Sequence, residues 1–544
     1  MKLENIYVEK WRNLKEFEIN FSSNEFTTVL IGANGTGKSN LLEAIVWIFR
    51  FLDLGRNHPP FNYKIKYLCF DHNIEVHGQY YTYDSTGKQK QKRTTSVWVD
   101  GKSIALSKFR SNGDTYLPRH IFGYYSGKDT RLEKLFDAHA KDFYDTSLGT
   151  KKPKKGQLER AKSLRRLFYC RPEHSQFVLL AYYAEESEYT KEFLNKYLGI
   201  DDLESILVVL SKPYWFKGSK PSAFQKKHGD SRFWYSAGVV KNFVGKMWEY
   251  SLAPIRHEER IKIDFRERTE NKEFLYLFLK DKEKLKSLAR VYSKEPTQFF
   301  RDLESTYIND LIEEVRTTVQ RKDRDGRVTF SELSEGEKQF LTVLGLMKFT
   351  KDDETLFLLD EPDTHLNPAW KYDYLKEINN VIGPSPSSQL LLCTHDPLVI
   401  GGLAKEQVRV LARTESEQGG QIVSFEPDED PRGMGVAGLL KSEMFGLRST
   451  VDPATLEKLD DRFKLYAKGK DRTETEEKEF LRLSDELVEL GFTRDFRDPY
   501  YQEYATAVSK RKIFKKPVLS KEEKEEREKI VEGVLDDIFS EEEK

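Results

Sequence analysis

Cysteine is scarce in this chain of 544 residues, which contains only Cys69, Cys170 and Cys393. Three widely spaced cysteines fit neither a disulfide framework nor a zinc site, which favours a reducing cytoplasm. Long apolar runs are also missing, because the longest, from Ala44 to Leu54, is interrupted by Arg50 and Asp53. The N-terminus lacks the apolar core of a signal peptide. We therefore expect a cytoplasmic protein that is not exported and does not contact a membrane.

Net charge is nearly absent as well. The 89 Lys and Arg residues balance 90 Asp and Glu residues, which leaves a formal net charge of -1. No global field therefore draws the chain to nucleic acid, so any such binding must be a local patch. Sustained heptads are missing between Lys128 and Gln320, which excludes a long coiled-coil arm. The length exceeds what one core needs, so we expect two or three structural units.

The strongest local pattern is Gly32–Ser39, which reads G-x-x-x-x-G-K-S between a β-branched apolar run and a helix-forming segment. Its glycines let backbone N–H groups curl around an anion at a helix N-terminus. Lys38 can reach the β- and γ-phosphates of a nucleotide, and the Ser39 hydroxyl can ligate Mg²⁺. The pattern predicts a nucleoside triphosphate site, the alternative being a chance glycine turn.

A second cluster of chemical residues begins some 300 positions later. Ser334 and Gly336 lie in a turn before an apolar helix, where N–H groups and a hydroxyl can face an anion. The strand-like run LFLLDEP ends in Asp360, which can hold Mg²⁺ or its waters, and in Glu361, which can orient or deprotonate an attacking water. Another apolar run leads to His395, in position to sense a γ-phosphate or that water.

Taken in this order, the motifs resemble the Walker A, signature, Walker B, D-loop and switch-histidine motifs of ABC-type ATPases. The segment EKWRNLKEFEI is similar to the opening of RecF, the double-strand-break repair ATPases, structural-maintenance-of-chromosomes (SMC) proteins and the overcoming-lysogenization-defect ATPases. The resemblance implies an α/β fold, an ABC-type P-loop ATPase head with a mixed sheet flanked by helices and an antiparallel β lobe. It also implies ATP and Mg²⁺ as cofactors and hydrolysis of ATP to ADP and phosphate.

The resemblance assigns a role to each matching residue. These are catalytic Glu361 and His395; nucleotide-binding Arg12, Asn34, Gly35, Gly37, Lys38, Ser39 and Asn40; Mg²⁺ ligands Ser39 and Asp360; D-loop Asp363; and the signature residues Ser334, Gly336 and Glu337, which act in trans on a second copy. Arg12 could contact phosphates or base, or be an exposed turn residue. No clear glutamine marks the family's Q-loop, for which Gln79 and the segment HIFGYYSG (residues 120–127) are the candidates.

The resemblance also implies partners. Two heads of this family enclose two nucleotides, so one signature motif implies a homodimer or a larger oligomer. The segments SEMFGLRSTVDP and ELGFTRDFRDPYYQEYATA resemble the ATPase subunit of Septu-type and retron-associated antiphage systems (PtuA-like). This implies a sensor or scaffold that gates a separate HNH nuclease, joined in retrons by a reverse transcriptase and its DNA–RNA hybrid, with no intrinsic nuclease. The alternatives are a RecF-like repair ATPase that binds DNA itself and a structural module that uses ATP as glue.

We expect four parts along the chain. Residues 1–127 and 321–447 form the ATPase head, 128–320 a mainly helical insert, and 448–544 a helical C-terminal extension. In the insert, Lys151–Lys155 and the segment KPYWFKGSKP combine cations with aromatic rings, which suits a local nucleic-acid contact. The same composition also makes a helical core with solvated lysines.

Helix signals dominate the extension. Asp452-Pro453 and the capping box from Thr473 to Glu476 each begin a helix, so the pair predicts an αα-hairpin. Beyond it, an apolar stripe from Ile530 to Phe539 follows helical spacing in a highly charged tail. This stripe either packs on the protein itself or docks a partner.

Overall fold

The described part of the chain forms three sheets and the helices that cover them. The structure is a computed structural model that describes residues 1–83, 89–147, 164–185, 187–216, 220–292, 296–322, 327–351, 353–383, 387–414, 420–492, 511 and 521–540. Its strands are β1 Lys2–Trp11, β2 Leu14–Asn20, β3 Thr27–Ile31, β4 Tyr63–Cys69, β5 His72–Tyr83, β6 Gln89–Val99, β7 Lys102–Ile104, β8 His120–Tyr125, β9 Leu167–Tyr169, β10 Ile200–Ser211, β11 Ile255–Lys262, β12 Thr269–Leu279, β13 Ile312–Arg321, β14 Arg327–Thr329, β15 Thr355–Asp360, β16 Gln389–Cys393, β17 Val408–Arg413 and β18 Ile422–Phe425. Its helices are α1 Lys38–Leu54, α2 Leu106–Ser111, α3 Gly113–Tyr116, α4 Arg131–Ser147, α5 His174–Glu185, α6 Glu188–Leu198, α7 Ala223–His228, α8 Gly238–Tyr250, α9 Lys282–Ala289, α10 Pro296–Ile308, α11 Glu335–Thr350, α12 Pro368–Ile382, α13 Pro397–Ile400, α14 Gly435–Lys441, α15 Pro453–Ala467, α16 Glu474–Glu489 and α17 Lys521–Ser540.

The central element is a seven-stranded sheet in the order β18-β17-β3-β16-β15-β8-β9. All neighbours are parallel except β18. Every residue of β3, β15 and β16 is buried, as expected for apolar strands covered on both faces. The strand before the glycine loop, β3, lies between β16 and β17, which come from the last third of the chain. The carboxyl ends of these parallel strands therefore meet at one edge.

A six-stranded antiparallel sheet, in the order β2-β1-β4-β5-β6-β7, forms the predicted β lobe. Buried and exposed residues alternate along β2 and β4, so one face packs on the core that it shares with α1. The helix α1 begins after Gly37, whose φ is 93°, and ends at Gly55, whose φ is 70°. Both glycines supply left-handed backbone that other residues adopt at a cost.

The insert, which we expect to be mainly helical, also contains a sheet that its sequence does not predict. Together with helices it contains a five-stranded antiparallel sheet in the order β11-β12-β10-β13-β14. The strand β11 reads IRHEERIK, and nearly all of it is exposed. Its charged sequence is therefore equally compatible with a solvent-exposed helix. Its strand identity comes instead from pairing with β12 along its whole length, a contact that local sequence does not encode.

A buried ionic cluster joins three elements of the insert. Glu304 on α10 lies 2.8 Å from Arg165 Nη1 and 2.6 Å from His174 Nε2, the first residue of α5. The side chains of Glu304 and His174 are completely buried. Burial alone would raise the pKa of Glu304, but the charges of His174 and Arg165 outweigh it and hold this pKa at about 2. The cluster is therefore an ionised group within the core.

The aromatic residues of the insert divide between core and surface. Phe233 and Trp234 are buried, and Trp215 donates its indole N–H to the Asn309 carbonyl. These three residues support the core interpretation, whereas Tyr214 is 77% exposed. The basic run Lys151–Lys155 lies outside the described residues, so the predicted nucleic-acid contact stays a prediction.

Contacts within the chain group its residues into two compact units. One unit is residues 1–399 with 406–426, and the other is residues 400–405 with 427–544. In the second unit, α15 begins after its cap Asp452, and α16 begins with the predicted capping box of Thr473 and Glu476. Stacked rings of Tyr466 and Phe480 join the two helices, as expected for the hairpin. The four-part division of the sequence stays a prediction. None of the described helices is long and apolar enough to cross a membrane.

Candidate nucleotide-binding site

The glycine loop between β3 and α1 is closed tightly around its own backbone. At Gly37 a Cβ atom would lie 2.8 Å from Leu14 Cδ2, and at Gly32 it would lie 2.3 Å from the Leu411 carbonyl oxygen. Lys38 is buried, and its Nζ donates to the Gly32 carbonyl at 2.6 Å. The ammonium therefore points back over the loop, where a bound phosphate would be. Asn34 is exposed at the tip of the loop.

The turn between β1 and β2 fixes the position of this loop. Asn13 donates to the Gly35 carbonyl at 2.6 Å and accepts from the Asn40 amide at 2.6 Å. Arg12, with left-handed backbone, donates to Asn40 Oδ1 at 3.2 Å. Arg12 and Asn40 thus lie beside the glycine loop, and their nucleotide-binding role stays a prediction, whereas the clamping role of Asn13 has no motif and was missed.

A buried glutamate on α1 ties this turn to the helix α4. Glu43 lies 2.8 Å from Arg12 and 3.7 Å from Arg131. Burial raises its pKa to about 7; Arg12 opposes the rise, while the charges of Asp129 and Asp360 add to it. Sequence reasoning missed this residue, because a single glutamate in an apolar helix carries no signal of its own.

Asp360 ends β15 directly beside the glycine loop. It is buried and accepts a hydrogen bond from the Ser39 hydroxyl. Burial raises its pKa to about 6, against the opposing effects of Ser39 and Lys38. A carboxylate and a hydroxyl are the hard oxygen ligands that Mg²⁺ prefers, usually with waters and substrate phosphates completing its shell. These two residues therefore fit the predicted metal role, although no cluster of three or more His, Cys, Asp or Glu side chains suited to a metal occurs in the described part of the chain.

Glu361 follows with strained backbone at φ 51°, as is frequent at functional sites. Its N–H donates to the Cys393 carbonyl at 2.9 Å, so the end of β16 fixes its position. Its Oε1 lies 3.3 Å from His395 Nδ1, and the histidine side chain is 57% exposed. The pair is thus accessible to solvent and within reach of one water, as a general base and its partner require.

One of the two Q-loop candidates lies beside these acids. The Ser126 N–H, just after β8, donates to the Asp360 carbonyl at 3.2 Å, and the Ser126 hydroxyl lies 3.1 Å from that of Thr364. Gln79 instead pairs with Thr94 inside the β lobe. The segment HIFGYYSG is therefore the candidate that contacts the end of β15, where Asp360 lies.

The D-loop residue Asp363 is buried next to the switch histidine. It accepts a hydrogen bond from the Thr394 hydroxyl at 3.0 Å. Burial raises the pKa of Asp363, and this hydrogen bond opposes the rise. The carboxylate therefore acts inside the head as a link between the D-loop and the end of β16.

The signature turn caps α11. The Ser334 hydroxyl accepts from the Glu337 N–H, and Glu337 in turn accepts from the Ser334 N–H, which makes a capping box. A Cβ atom at Gly336 would lie 2.4 Å from the His365 carbonyl oxygen, so the turn packs directly on the D-loop. Ser334 is exposed. The turn is therefore accessible from outside the head, although its hydroxyl and N–H are engaged in the capping box.

Comparison with known proteins agrees with this geometry. The family model "AAA ATPase domain" matches residues 1–122, and "AAA domain, putative AbiEii toxin, Type IV TA system" matches residues 248–401. The Septu protein PtuA of Bacillus mycoides (strain KBAB4) is 34% identical over 136 residues, which are 25% of this chain and 18% of PtuA. The Retron Vc95 probable ATPase of Vibrio cholerae serotype O1 biovar El Tor is 23% identical over 428 residues, 76% of this chain and 73% of that protein. Of these two relatives, PtuA is matched over less than a fifth of its own length.

Solved structures include the SMC head domain from Thermotoga maritima, with 14% identity and a TM-score of 0.31 over 79% of this chain and 100% of that one. A likeness at this TM-score does not itself establish a fold. The parallel sheet, with the glycine loop at the end of β3 and the acids at the end of β15, has the architecture of a P-loop ATPase head, and both family models match ATPase domains. By these features and both family models, the chain is an ATPase with an ABC-type P-loop head, and it is similar to the ATPases of the Septu and retron systems.

Proposed function

We propose that the chain binds and hydrolyses ATP between two copies of its head, and that this cycle gates a partner nuclease in antiphage defence. The observation that carries the first part is the meeting of Ser39, Asp360, Glu361 and His395 at one sheet edge. The Septu and retron relatives support the second part.

Each residue has a distinct task in this proposal. Lys38 and the loop N–H groups bind the β- and γ-phosphates, and Ser39 with Asp360 would hold Mg²⁺, which supplies charge neutralisation when bound. Glu361 accepts a proton from the attacking water, and His395 orients that water. Ser334 and Gly336 of the second copy close the site, which makes a homodimer or a larger oligomer necessary for turnover.

The partner proposed is a separate HNH nuclease, with a reverse transcriptase and its DNA–RNA hybrid in a retron setting. Co-purification from the source operon tests this directly. An HNH protein in the complex supports the proposal, whereas a chain that purifies alone and binds duplex DNA in an ATP-dependent, salt-sensitive way favours the RecF-like alternative.

Glu361→Gln tests the assigned base. The amide keeps the size of the side chain but cannot accept the proton, so we expect ATP binding to persist, the head dimer to accumulate and turnover to be lost. Binding is measured by equilibrium titration, dimerisation by mass with and without ATP, and turnover by phosphate release. Turnover that survives in this variant contradicts the assigned role.

Lys38→Ala tests the phosphate cradle. Loss of a charge-assisted hydrogen bond should weaken ATP binding about 10- to 100-fold. The matched control is Lys371→Ala, which removes an ammonium that is paired with Asp396 outside the loop. Equal ATP affinity in the Lys38 variant and the unaltered chain would show that the cradle is misassigned.

A further inference from the structure

The edge strand β11 carries an unusual set of exposed apolar side chains. Leu252 and Ile255 are each 59% exposed at its start, and Ile263 and Phe265 are 52% and 92% exposed at its end. Charges along an edge strand are a common protection against pairing, but that protection does not explain four large apolar groups in solvent. Within the described residues, β11 pairs only with β12 and ends the sheet.

The tip that holds Phe265 is ordered by its own hydrogen bonds. Asp264 Oδ1 accepts from the N–H groups of Arg266 at 2.9 Å and Arg268 at 3.3 Å. The Ile263 N–H donates to the Arg268 carbonyl at 2.8 Å. The phenyl ring is therefore held on an ordered turn, close in sequence to exposed Ile263, and exposed apolar groups that cluster in this way mark interaction sites.

Charge decides what kind of partner fits this hairpin. Between residues 256 and 273 six basic side chains balance six acidic ones. A balanced, alternating surface does not attract the phosphate backbone of nucleic acid. It suits a protein edge with the same alternation, and a second copy of β11 supplies one.

The pairing register follows from the faces of the strand. Arg256 lies opposite buried Leu275, so the even-numbered residues of β11 share the buried face of the sheet. A two-fold axis perpendicular to the sheet keeps both buried faces on one side, which requires opposing residues to come from the same face. The axis must then pass through a residue, and the candidates near the middle are Glu258, Glu259 and Arg260.

Only the axis through Glu259 satisfies the rest of the pattern. It places Glu258 opposite Arg260 twice and Ile255 opposite Ile263 twice, with residues 256–262 all in the ladder. Phe265 then reaches the segment at Leu252 of the other copy. The axis through Glu258 sets Arg256 against Arg260, and the axis through Arg260 leaves only residues 258–262 paired. Glu259 meets its own copy, and Lys272 lies directly opposite it on β12.

We propose that β11 is a self-pairing edge, at which two copies of this chain join antiparallel about Glu259 and merge their five-stranded sheets. This interface is separate from the nucleotide-dependent contact of the heads, so it links head dimers into larger assemblies. Opposite-charge pairs and apolar pairs across strands are the stabilising unit of such a ladder.

Mass measurement in the Lys38→Ala background tests the proposal, because the head contact is then removed. We expect a concentration-dependent dimer without nucleotide at micromolar concentration. Glu258→Arg and Arg260→Glu should each weaken dimerisation at least about tenfold, since two attractive pairs become repulsive. The double variant restores both pairs in reverse order and should recover the dimer. Arg316→Glu, on a strand inside the same sheet, is the charge control, and exposed Tyr214→Ser is the control for Phe265→Ser, which should also weaken the dimer.

Cysteine cross-linking tests the register. Glu259→Cys should give a disulfide-linked dimer under mild oxidation, because this position faces itself, whereas Arg260→Cys and Arg316→Cys should not. The native cysteines Cys69, Cys170 and Cys393 are buried and supply no background. Any one of three results overturns the proposal. These are a Lys38→Ala chain that is monomeric, a double charge variant that stays monomeric, and a cross-link that forms at residue 260 in preference to residue 259. A failure of the ATPase assignment would appear instead as absent turnover in the unaltered chain.

Discussion

Replacing Glu304 by Gln should lower the free energy of unfolding at pH 7 by about 3–5 kcal/mol for the unit made of residues 1–399 and 406–426. The reason is that Arg165, 4% exposed, and His174, fully buried, lose the carboxylate with which both of them pair. Removing one partner of a buried ion pair costs this much because the remaining charge stays without compensation. Since a folded unit is stabilised by about 5–15 kcal/mol in total, the change consumes a large part of it.

The pH dependence of stability gives an independent estimate of what the Glu304 carboxylate contributes to the free energy of unfolding. The folded pKa of Glu304 is lowered from 4.5 to about 2, and at 1.36 kcal/mol per unit this lowering equals about 3 kcal/mol. A lowered carboxyl pKa contributes stability that is fully present above the unfolded pKa and lost as pH falls toward the folded one. The difference between the unaltered chain and Glu304→Gln should therefore be constant above about pH 5 and shrink below pH 4.5.

Urea unfolding followed by tryptophan fluorescence measures both quantities. The matched control is Glu314→Gln, which changes an exposed glutamate of β13 and should stay within about 0.5 kcal/mol of the unaltered chain. Equal midpoints for Glu304→Gln and the unaltered chain at pH 7 would refute the reasoning. So would a difference that grows as the solution is acidified.

Two further predictions concern the head. Gly336→Ala should cost about 1–3 kcal/mol of stability and abolish most ATP turnover, because its Cβ atom would lie 2.4 Å from the His365 carbonyl, a backbone atom that cannot move freely; thermal unfolding and phosphate release measure the two effects. Asp363→Asn should leave the free energy of unfolding at pH 7 unchanged or higher, since burial raises the pKa of this carboxyl and its ionised form costs stability above the unfolded pKa. Asp363→Ala, which removes the acceptor of the buried Thr394 hydroxyl proton, should instead cost about 1–3 kcal/mol in the same assay.

These head variants have sharp controls. Gly533→Ala alters a helical glycine that has open space around it and no positive φ, so it reports the effect of a substitution without a clash. Full ATP turnover in Gly336→Ala would show that the signature turn tolerates displacement from the D-loop. A destabilised Asp363→Asn variant would show that the charge of Asp363, and not only its hydrogen bond, supports the fold.

The nucleotide site could be predicted from the sequence because its parts are local. The loop before Lys38 and the acids after β15 are each set by a few neighbouring residues, and apolar runs place them at strand ends. The turn of Ser334 is likewise a capping box that short-range spacing reveals. What joins these parts in space is the parallel sheet, for which the family resemblance was needed.

The remaining features depend on distant partners. Asn13 donates a hydrogen bond to Gly35, which is 22 positions away, and Glu304 pairs with Arg165, which is 139 positions away. The strand β11 was not predicted, because its charged sequence is also compatible with a helix and its strand form comes from pairing with β12. Single polar residues without a motif gain their role from tertiary contact, which no local pattern encodes.

The position of β3 within its sheet has a consequence for synthesis on the ribosome. Both neighbours of this strand, β16 and β17, begin at residues 389 and 408, so about 360 residues must emerge after β3 before either can pair with it. At about 5–20 residues per second this delay is roughly 20–70 s. During that interval the glycine loop has no sheet to support it. The central sheet therefore cannot form around the loop until about three quarters of the chain has emerged. Pairing between such distant strands makes the head slow to fold and dependent on protection during that interval.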